Sequence, residues 1–292
     1  MPNNLTQLSD ELAAVVKRAG QSVVTIYAGG RVPSSGVHWK PGAIVTAEHS
    51  LRRDEEIKVG LPDGRVVPAD LAGRDPGSDL AVLKIDAGSM PVIAAGGEAH
   101  TGNIVVAVGR HRDIGVCAAL GMVSVIGPAW NTWRGGRVDQ FLRLDVTLYP
   151  GCSGAAIVNA GGEALGVATS ALSRIAPVAV PRTTVDRVCG ELISRGYISR
   201  GYLGVGMQPV RLPEELGGGG LIVLSVEKNS PASKAGLVIG DILTAFDGRP
   251  VRDTRDVQNV LSGENIGKTL NAAILRGGQR VDLPVTVGEK GK

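Results

Sequence analysis

Nine short runs rich in β-formers succeed one another between Val23 and Thr169, and no convincing helical pattern separates them. They are VVTIYAG, GAIVTAE, EEIKVGL, LAVLKID, NIVVAVG, GMVSVIG, FLRLDVT, AAIVNA and EALGVAT, divided by turns that carry Gly, Pro or Asp. Such a succession is the mark of an antiparallel sandwich or barrel. The 42 Gly and 16 Pro of this 292-residue chain read as the turns between those strands. Aromatic residues are only 3%, so aliphatic side chains must fill the interior. A composition that is 43% hydrophobic and 20% charged suits a chain that buries a core.

Helical periodicity occurs outside this stretch. Residues 5–19 put Leu5, Leu8, Leu12, Val15, Val16 and Ala19 on one face. A second helix is expected over 183–195, ending at Gly196, and a short one over 254–261. Strand-like runs resume from Tyr202, while GGGG at 217–220 reads as a turn or loop. At about 150 residues per domain the length suggests two domains. The change of pattern places the boundary near 198, giving domains 1–198 and 199–292.

The formal charge of +3 arises from 31 basic and 28 acidic residues scattered along the chain. With no Lys/Arg run, neither nucleic acid nor an anionic membrane is expected as a main partner. No apolar stretch reaches 18 residues, so no membrane span is expected. Met1–Asp10 is polar and lacks a secretion-signal pattern, which favours the cytosol unless a leader has been lost. Cys117, Cys152 and Cys189 are odd in number and far apart, which argues against a disulfide framework or a zinc site. No metal or cofactor is expected.

The segment Pro150-Gly151-Cys152-Ser153-Gly154-Ala155 is the most informative about chemistry. His49 ends the run AIVTAEH, where a strand would deliver a side chain to a barrel rim, and Asp79 opens the apolar run DLAVLKI. The order His–Asp–Ser is that of chymotrypsin-like barrels; subtilisins and α/β-hydrolases use other orders. A serine hydroxyl needs a base to take its proton as it attacks, and imidazole can accept that proton and return it to a leaving amine. A carboxylate on the other ring nitrogen fixes the tautomer and stabilises the imidazolium. The turn Gly151–Cys152–Ser153 would aim backbone N–H groups at one spot, an oxyanion hole. Asp75 is a rival acid, but only Asp79 leads directly into the apolar run. His38, His100 and His111 are expected to be solvated, and Asp145 to tether a loop.

These residues, followed by a PDZ-like unit, resemble the HtrA/Deg family of serine proteases. AIVTAEHSL is similar to the family's histidine segment, DPGSDLAVLKID to its aspartate segment and LDVTLYPGCSGAAIVN to its serine segment. GMVSVIG, APVAVP (176–181) and SPASKAGLVIGDILTAFDG (230–248) extend the resemblance over nearly the whole chain. It implies a mainly β fold, a chymotrypsin-like double β-barrel with a C-terminal PDZ domain. It also implies an ATP-independent serine endopeptidase acting on unfolded or exposed polypeptide, with catalytic residues His49, Asp79 and Ser153. Leu148, Ala171 and Leu172 match walls of the primary specificity pocket, where an aliphatic substrate side chain would fit. A homotrimer joined through the apolar N-terminal segment is implied as well. The chain departs from the family at Cys152, where Asn is usual, and at Ala155, where Gly is usual. An alternative therefore stays open: a catalytically idle scaffold that acts as a peptide-binding or chaperone module.

In the second unit, Gly201-Tyr202-Leu203-Gly204-Val205 resembles the carboxylate loop and following strand of a PDZ domain. Such a loop can hold a peptide's terminal carboxylate on successive N–H groups while the strand edge accepts the peptide by β-augmentation. Val257, Val260 and Leu261 would face Val205 and Met207 across an apolar groove. Polypeptide substrates and peptide C-termini are thus the expected partners.

Overall fold

The computed structural model describes residues 4–173, 175–261 and 263–289. The chain divides into two compact units, Met1–Ile198 and Ser199–Lys292. The first opens with helix α1 (Asn4–Ala19), whose last turn carries Lys17 and Arg18, a favourable place for cations. Six strands then close an antiparallel barrel: β1 (Val23–Tyr27), β2 (Ser34–Lys40), β3 (Ala43–Ala47), β4 (Ile57–Gly60), β5 (Val66–Asp75) and β6 (Leu80–Lys84). A second barrel joins β7 (Ile104–His111), β8 (Gly115–Gly127), β11 (Phe141–Asp145), β12 (Ala156–Asn159), β13 (Ala164–Thr169) and β14 (Val178–Pro181). Between β8 and β11 the chain makes a small hairpin, β9 (Trp130–Asn131) with β10 (Arg137–Val138). Helix α2 (Arg182–Arg195) follows, and Gly196 closes it in the left-handed region by donating its N–H to the Leu192 carbonyl.

Alternation along the strands explains why the runs look apolar throughout. Val24, Ile26, Ile44 and Leu83 fill the first barrel, while their neighbours Val23, Val45 and Val82 point outward into a second cluster. In the other barrel Val105, Ala107 and Ile157 point inward, and Val106, Val108 and Val158 enter that same outer cluster. Leu12, Val15 and Ala19 of α1 and Val185, Val188 and Leu192 of α2 join it. Both faces of these strands are buried, so alternation of apolar with polar residues is lost.

The polar segment SSGVHWK carried no strand pattern, yet it forms β2 and is buried along nearly its whole length. This corrects the expectation for His38, which is only 3% exposed. Its Nδ1–H donates to the Pro91 carbonyl at 3.0 Å, and its Nε2 accepts the Gly42 N–H at 3.1 Å. His100 is exposed and His111 half-buried. Asp145 lies exposed at the end of β11, and its side chain makes no hydrogen bond or ion pair among the described residues.

The second unit contains β15 (Gly201–Tyr202), β16 (Val205–Arg211), β17 (Gly219–Val226), helix α3 (Pro231–Lys234), β18 (Ile242–Phe246) and β19 (Arg249–Pro250). Helix α4 (Thr254–Val260), β20 (Thr269–Arg276), β21 (Gln279–Thr286) and β22 (Gly288–Glu289) complete it. Its main sheet runs β16-β17-β18-β20-β21, with β19 paired to β18, and β15 pairs with β22. Only half of GGGG is a turn, because Gly219 and Gly220 open β17. Asp253 and Asp256 cap α4 reciprocally, which fixes where that short helix begins. Leu203, Leu221, Leu243, Phe246, Val257 and Ile274 form the core.

Candidate active site and peptide groove

Strand β3 ends at Ala47, and the single turn of 3-10 helix that follows carries His49 to the rim of the first barrel. Asp79 stands immediately before β6 and is fully buried. Its φ of 57° is one that few non-glycine residues adopt, and aspartate is among those that tolerate it. The Asp79 carbonyl accepts the Glu48 N–H at 3.1 Å, and carboxylate Oδ1 accepts the His49 N–H at 2.9 Å. The histidine turn is thereby fixed to the aspartate before the imidazole is considered. His49 Nδ1 lies 2.8 Å from Asp79 Oδ2 and 3.0 Å from Oδ1. Thr169, at the end of β13, donates its hydroxyl to Oδ2 as well.

Asp75, the rival acid, is spent locally. Its carboxylate accepts the Gly77 and Ser78 N–H groups at 3.1 and 3.0 Å and the Ser78 hydroxyl at 2.6 Å. It shapes the loop that presents Asp79.

Ser153 follows a turn over Tyr149–Cys152, closed by Cys152 N–H donating to the Tyr149 carbonyl at 2.9 Å. Pro150 and Gly151 occupy its middle positions, and Gly151, at φ 93°, supplies the positive φ that a type II turn requires. The Cys152 N–H is thereby consumed, which removes it from the expected oxyanion set. Among the described residues the N–H groups of Gly151 and Ser153 meet no acceptor. The Gly151 carbonyl accepts the Ser35 hydroxyl at 2.8 Å, and the Ser153 carbonyl accepts the Ser35 N–H at 3.0 Å. One residue of β2 therefore holds the serine turn of the second barrel against the first.

His49 Nε2 is linked to Ser153 through a residue the sequence reading missed. It lies 3.4 Å from Ser170 Oγ, which in turn lies 3.3 Å from Ser153 Oγ. Thr169 and Ser170 terminate an otherwise aliphatic strand. Two hydroxyl residues at the end of such a run are the only signal the sequence offered.

The expected pocket residues do not share one cluster. Leu148 packs against the core inside the second barrel, whereas Leu172 is 7% exposed and belongs to the cluster between the barrels. With Leu172 committed to the core, an open wall falls to the half-buried Leu148 and Ala171. Cys152 and Cys189 are buried free thiols, and burial pushes each up to about 11. Among the described residues no His, Cys, Asp and Glu side chains cluster as a metal site. No helix among them is long and apolar enough to cross a membrane.

In the second unit β16 forms one end of the sheet, so its outer edge pairs with no other strand among the described residues. Val205 and Met207 of β16 and Val260 and Leu261 pack around buried Leu203 and Val257. The Leu203 and Gly204 carbonyls accept from Ala232 and Glu227 at 2.9 and 2.8 Å, while the N–H groups of Leu203 and Gly204 meet no acceptor among the described residues. Tyr202 donates its hydroxyl to Glu227.

Two closed six-stranded barrels with this histidine–aspartate pair and serine turn, followed by an edge-stranded sheet unit, define a trypsin-like peptidase joined to a PDZ domain. A family model of the trypsin-like peptidase domain matches residues 34–167, and one of the PDZ domain matches residues 201–287. The chain is 30% identical over 302 residues to the serine endoprotease DegS of Escherichia coli K12, covering 94% of this chain and 84% of DegS. It is 31% identical over 266 residues to a probable periplasmic DegP-like serine endoprotease of Chlamydia pneumoniae, but spans only 54% of that relative's length, against 86% of its own. Among solved structures, an HtrA-type protease AlgW with decapeptide superposes with a TM-score of 0.79 at 28% identity, covering 96% of this chain and 99% of that one. The serine endoprotease from Yersinia pestis gives 0.77 at 30% identity, with both chains wholly covered. The chain belongs to the HtrA family of serine endoproteases.

Proposed function

We propose that this chain cleaves exposed or unfolded polypeptide without ATP, its peptidase domain spanning 1–198 and its PDZ domain 199–292. Ser153 is the nucleophile, His49 the general base and Asp79 the orienting acid. The observation that carries the reading is the 2.8 Å contact between His49 Nδ1 and a buried carboxylate that also accepts the His49 N–H. That arrangement puts the ring proton on Nδ1 and leaves Nε2 free to accept. In the reaction a side-chain rotation passes Nε2 from Ser170 to Ser153, a change that substrate binding commonly completes. The base takes the serine proton as Oγ attacks the carbonyl carbon, and the Gly151 and Ser153 N–H groups receive the oxyanion. His49 then returns the proton to the leaving amine, and water repeats the sequence on the acyl-enzyme.

The PDZ domain binds peptide C-termini by adding a strand to β16, with the carboxylate on the loop at Tyr202–Gly204 and the last side chain among Val205, Met207, Val257 and Leu261. The family resemblance and the exposure of Leu5 and Leu8, 75% and 44%, favour a homotrimer joined through α1. Light scattering at micromolar concentration that gave a monomer would overturn it. The periplasm, named for the DegP-like relative, is the proposed compartment. The central test is digestion of an unfolded protein such as reduced casein. The chain should cut it and Ser153→Ala should not; equal digestion by both proteins would refute the mechanism, and digestion by neither would favour the idle scaffold.

A further inference from the structure

The catalytic acid is held by a loop from the other barrel. In the β9–β10 hairpin, Thr132 is 1% exposed, and its Oγ1 accepts the Arg134 and Gly136 N–H groups at 3.3 and 3.2 Å. The same hydroxyl donates its proton to the Gly77 carbonyl at 2.7 Å. Gly77 lies two residues before Asp79, and the Asp75 carboxylate already holds its N–H at 3.1 Å. Backbone meets backbone here: a Cβ on Gly136 would stand 2.1 Å from the Gly77 carbonyl carbon. At its tip the loop places Arg134 Nη1 3.6 Å from Glu48, the buried neighbour of His49.

These contacts converge on a backbone that needs support. Asp79 sits at a positive φ, and such conformations persist only where the surroundings over-determine them. Hydrogen bonds from the first barrel supply part of that support; from outside it Thr169 holds the carboxylate and Thr132 the Gly77 peptide. We propose that Thr132, with Arg134 at the same turn, is a positioning residue for the catalytic acid, holding the Gly77–Asp79 segment so that the carboxylate faces His49. The proposal rests on the triad reading above and adds the residues that keep the triad aligned.

The charged groups around the pair are few. Glu48 is paired with Arg74 at 3.1 Å and with Arg134, Asp54 pairs with Arg74, and the Asp75 carboxylate is turned onto the loop's own N–H groups. Misalignment of Asp79 withdraws the one carboxylate that contacts the imidazole, which destabilises the imidazolium. The pH–rate midpoint should then move to lower pH while the plateau falls.

The test compares Thr132→Val, which keeps the branched shape but loses the hydroxyl, with Thr132→Ser, which keeps the hydroxyl, in the full chain. Arg134→Gln is the milder third variant and Asp79→Asn the control. Measured for each are kcat and KM on one reporter peptide, the pH–rate profile and the downfield proton resonance of His49 Nδ1–H. Thr132→Val should lower kcat at least about tenfold, up to the roughly 10⁴-fold that loss of the acid costs a triad protease, with KM nearly unchanged. It should also shift the pH midpoint down and lose the downfield resonance. Thr132→Ser should match the wild type, and Arg134→Gln should lower kcat by less than Thr132→Val. If Asp79→Asn cripples turnover while Thr132→Val and Arg134→Gln keep wild-type values, the inference is wrong and the triad stands. If Asp79→Asn itself leaves turnover intact, the triad reading fails first. Equal damage in Thr132→Ser and Thr132→Val would assign the role to packing and overturn the hydroxyl's part. Should Thr132→Val not fold, wild-type kcat for Arg134→Gln overturns the proposal alone.

Discussion

Replacing Asp79 by Asn should cost about four orders of magnitude in kcat, because the local geometry dictates how the amide must sit. The His49 N–H can only donate, and it points at Oδ1 from 2.9 Å, so the amide oxygen takes that place. The amide nitrogen then takes the place of Oδ2, 2.8 Å from His49 Nδ1. There it donates to Nδ1, which drives the ring proton to Nε2 and makes the would-be base a donor. The opposite amide orientation leaves the buried N–H facing an NH2 group, at a cost of about 1–3 kcal/mol. The Thr169 hydroxyl can turn to accept from the new NH2, so shape and hydrogen-bond count are kept and the fold should survive. The same exchange in a trypsin-type triad lowers kcat roughly 10⁴-fold, equivalent to about 5 kcal/mol of transition-state stabilisation. Initial rates on a reporter peptide, with circular dichroism to verify folding, make the assay. A folded Asp79→Asn protein within tenfold of wild type would refute the tautomer argument.

Two further outcomes follow from the second unit. Asp241 is buried, and the Arg276 guanidinium, helped by the Val238 N–H, holds its carboxyl below the usual carboxylate range. A carboxyl lowered by folding contributes stability above its unfolded value and loses it as pH falls through the folded one. Asp241→Asn should therefore weaken hydrogen-exchange protection in β18 and β20 at neutral pH, and its difference from wild type should shrink below about pH 4; a constant difference would exclude the ion pair as its source. A peptide with a free apolar C-terminal residue should bind roughly 10- to 150-fold more tightly than its amide, the worth of one charge-assisted hydrogen bond at about 1.5–3 kcal/mol. Equal affinities in fluorescence polarisation would remove the carboxylate loop from Tyr202–Gly204.

The triad candidates were legible because each sits at the end of an aliphatic run. His49 follows AIVTAE, Asp79 precedes LAVLKI, and Ser153 lies in a glycine-framed turn. Strand ends are where barrels present side chains, so run boundaries and residue order together singled out these three. Residues that act by one hydrogen bond to backbone leave no such trace. Thr132 and Ser35 each secure a peptide of the opposite barrel, a role that depends on a contact spanning 55 residues in one case and 116 in the other. His38 was misread for a related reason. It satisfies both ring nitrogens on backbone groups inside a strand that shows no apolar pattern, and composition cannot distinguish that from a solvated loop.

The departures at Cys152 and Ala155 are where sequence reasoning alone left the idle scaffold open. Both side chains turn away from the reacting atoms, into the core of the second barrel. Gly109 of β7 bears on the turn differently: a Cβ there would stand 2.8 Å from Ser35 Oγ, so the glycine keeps room for the hydroxyl that holds the Gly151 carbonyl. The Cys152 thiol is pushed up to about 11 by burial and stays protonated near neutrality, with Cys117 beside it. What Cys152 does for the site it does with its backbone, whose N–H closes the turn onto Tyr149. That closure needs no particular side chain at position 152, and the Gly151 and Ser153 N–H groups meet no acceptor among the described residues. Crowding by either substitution is therefore not a physical ground for expecting an idle scaffold.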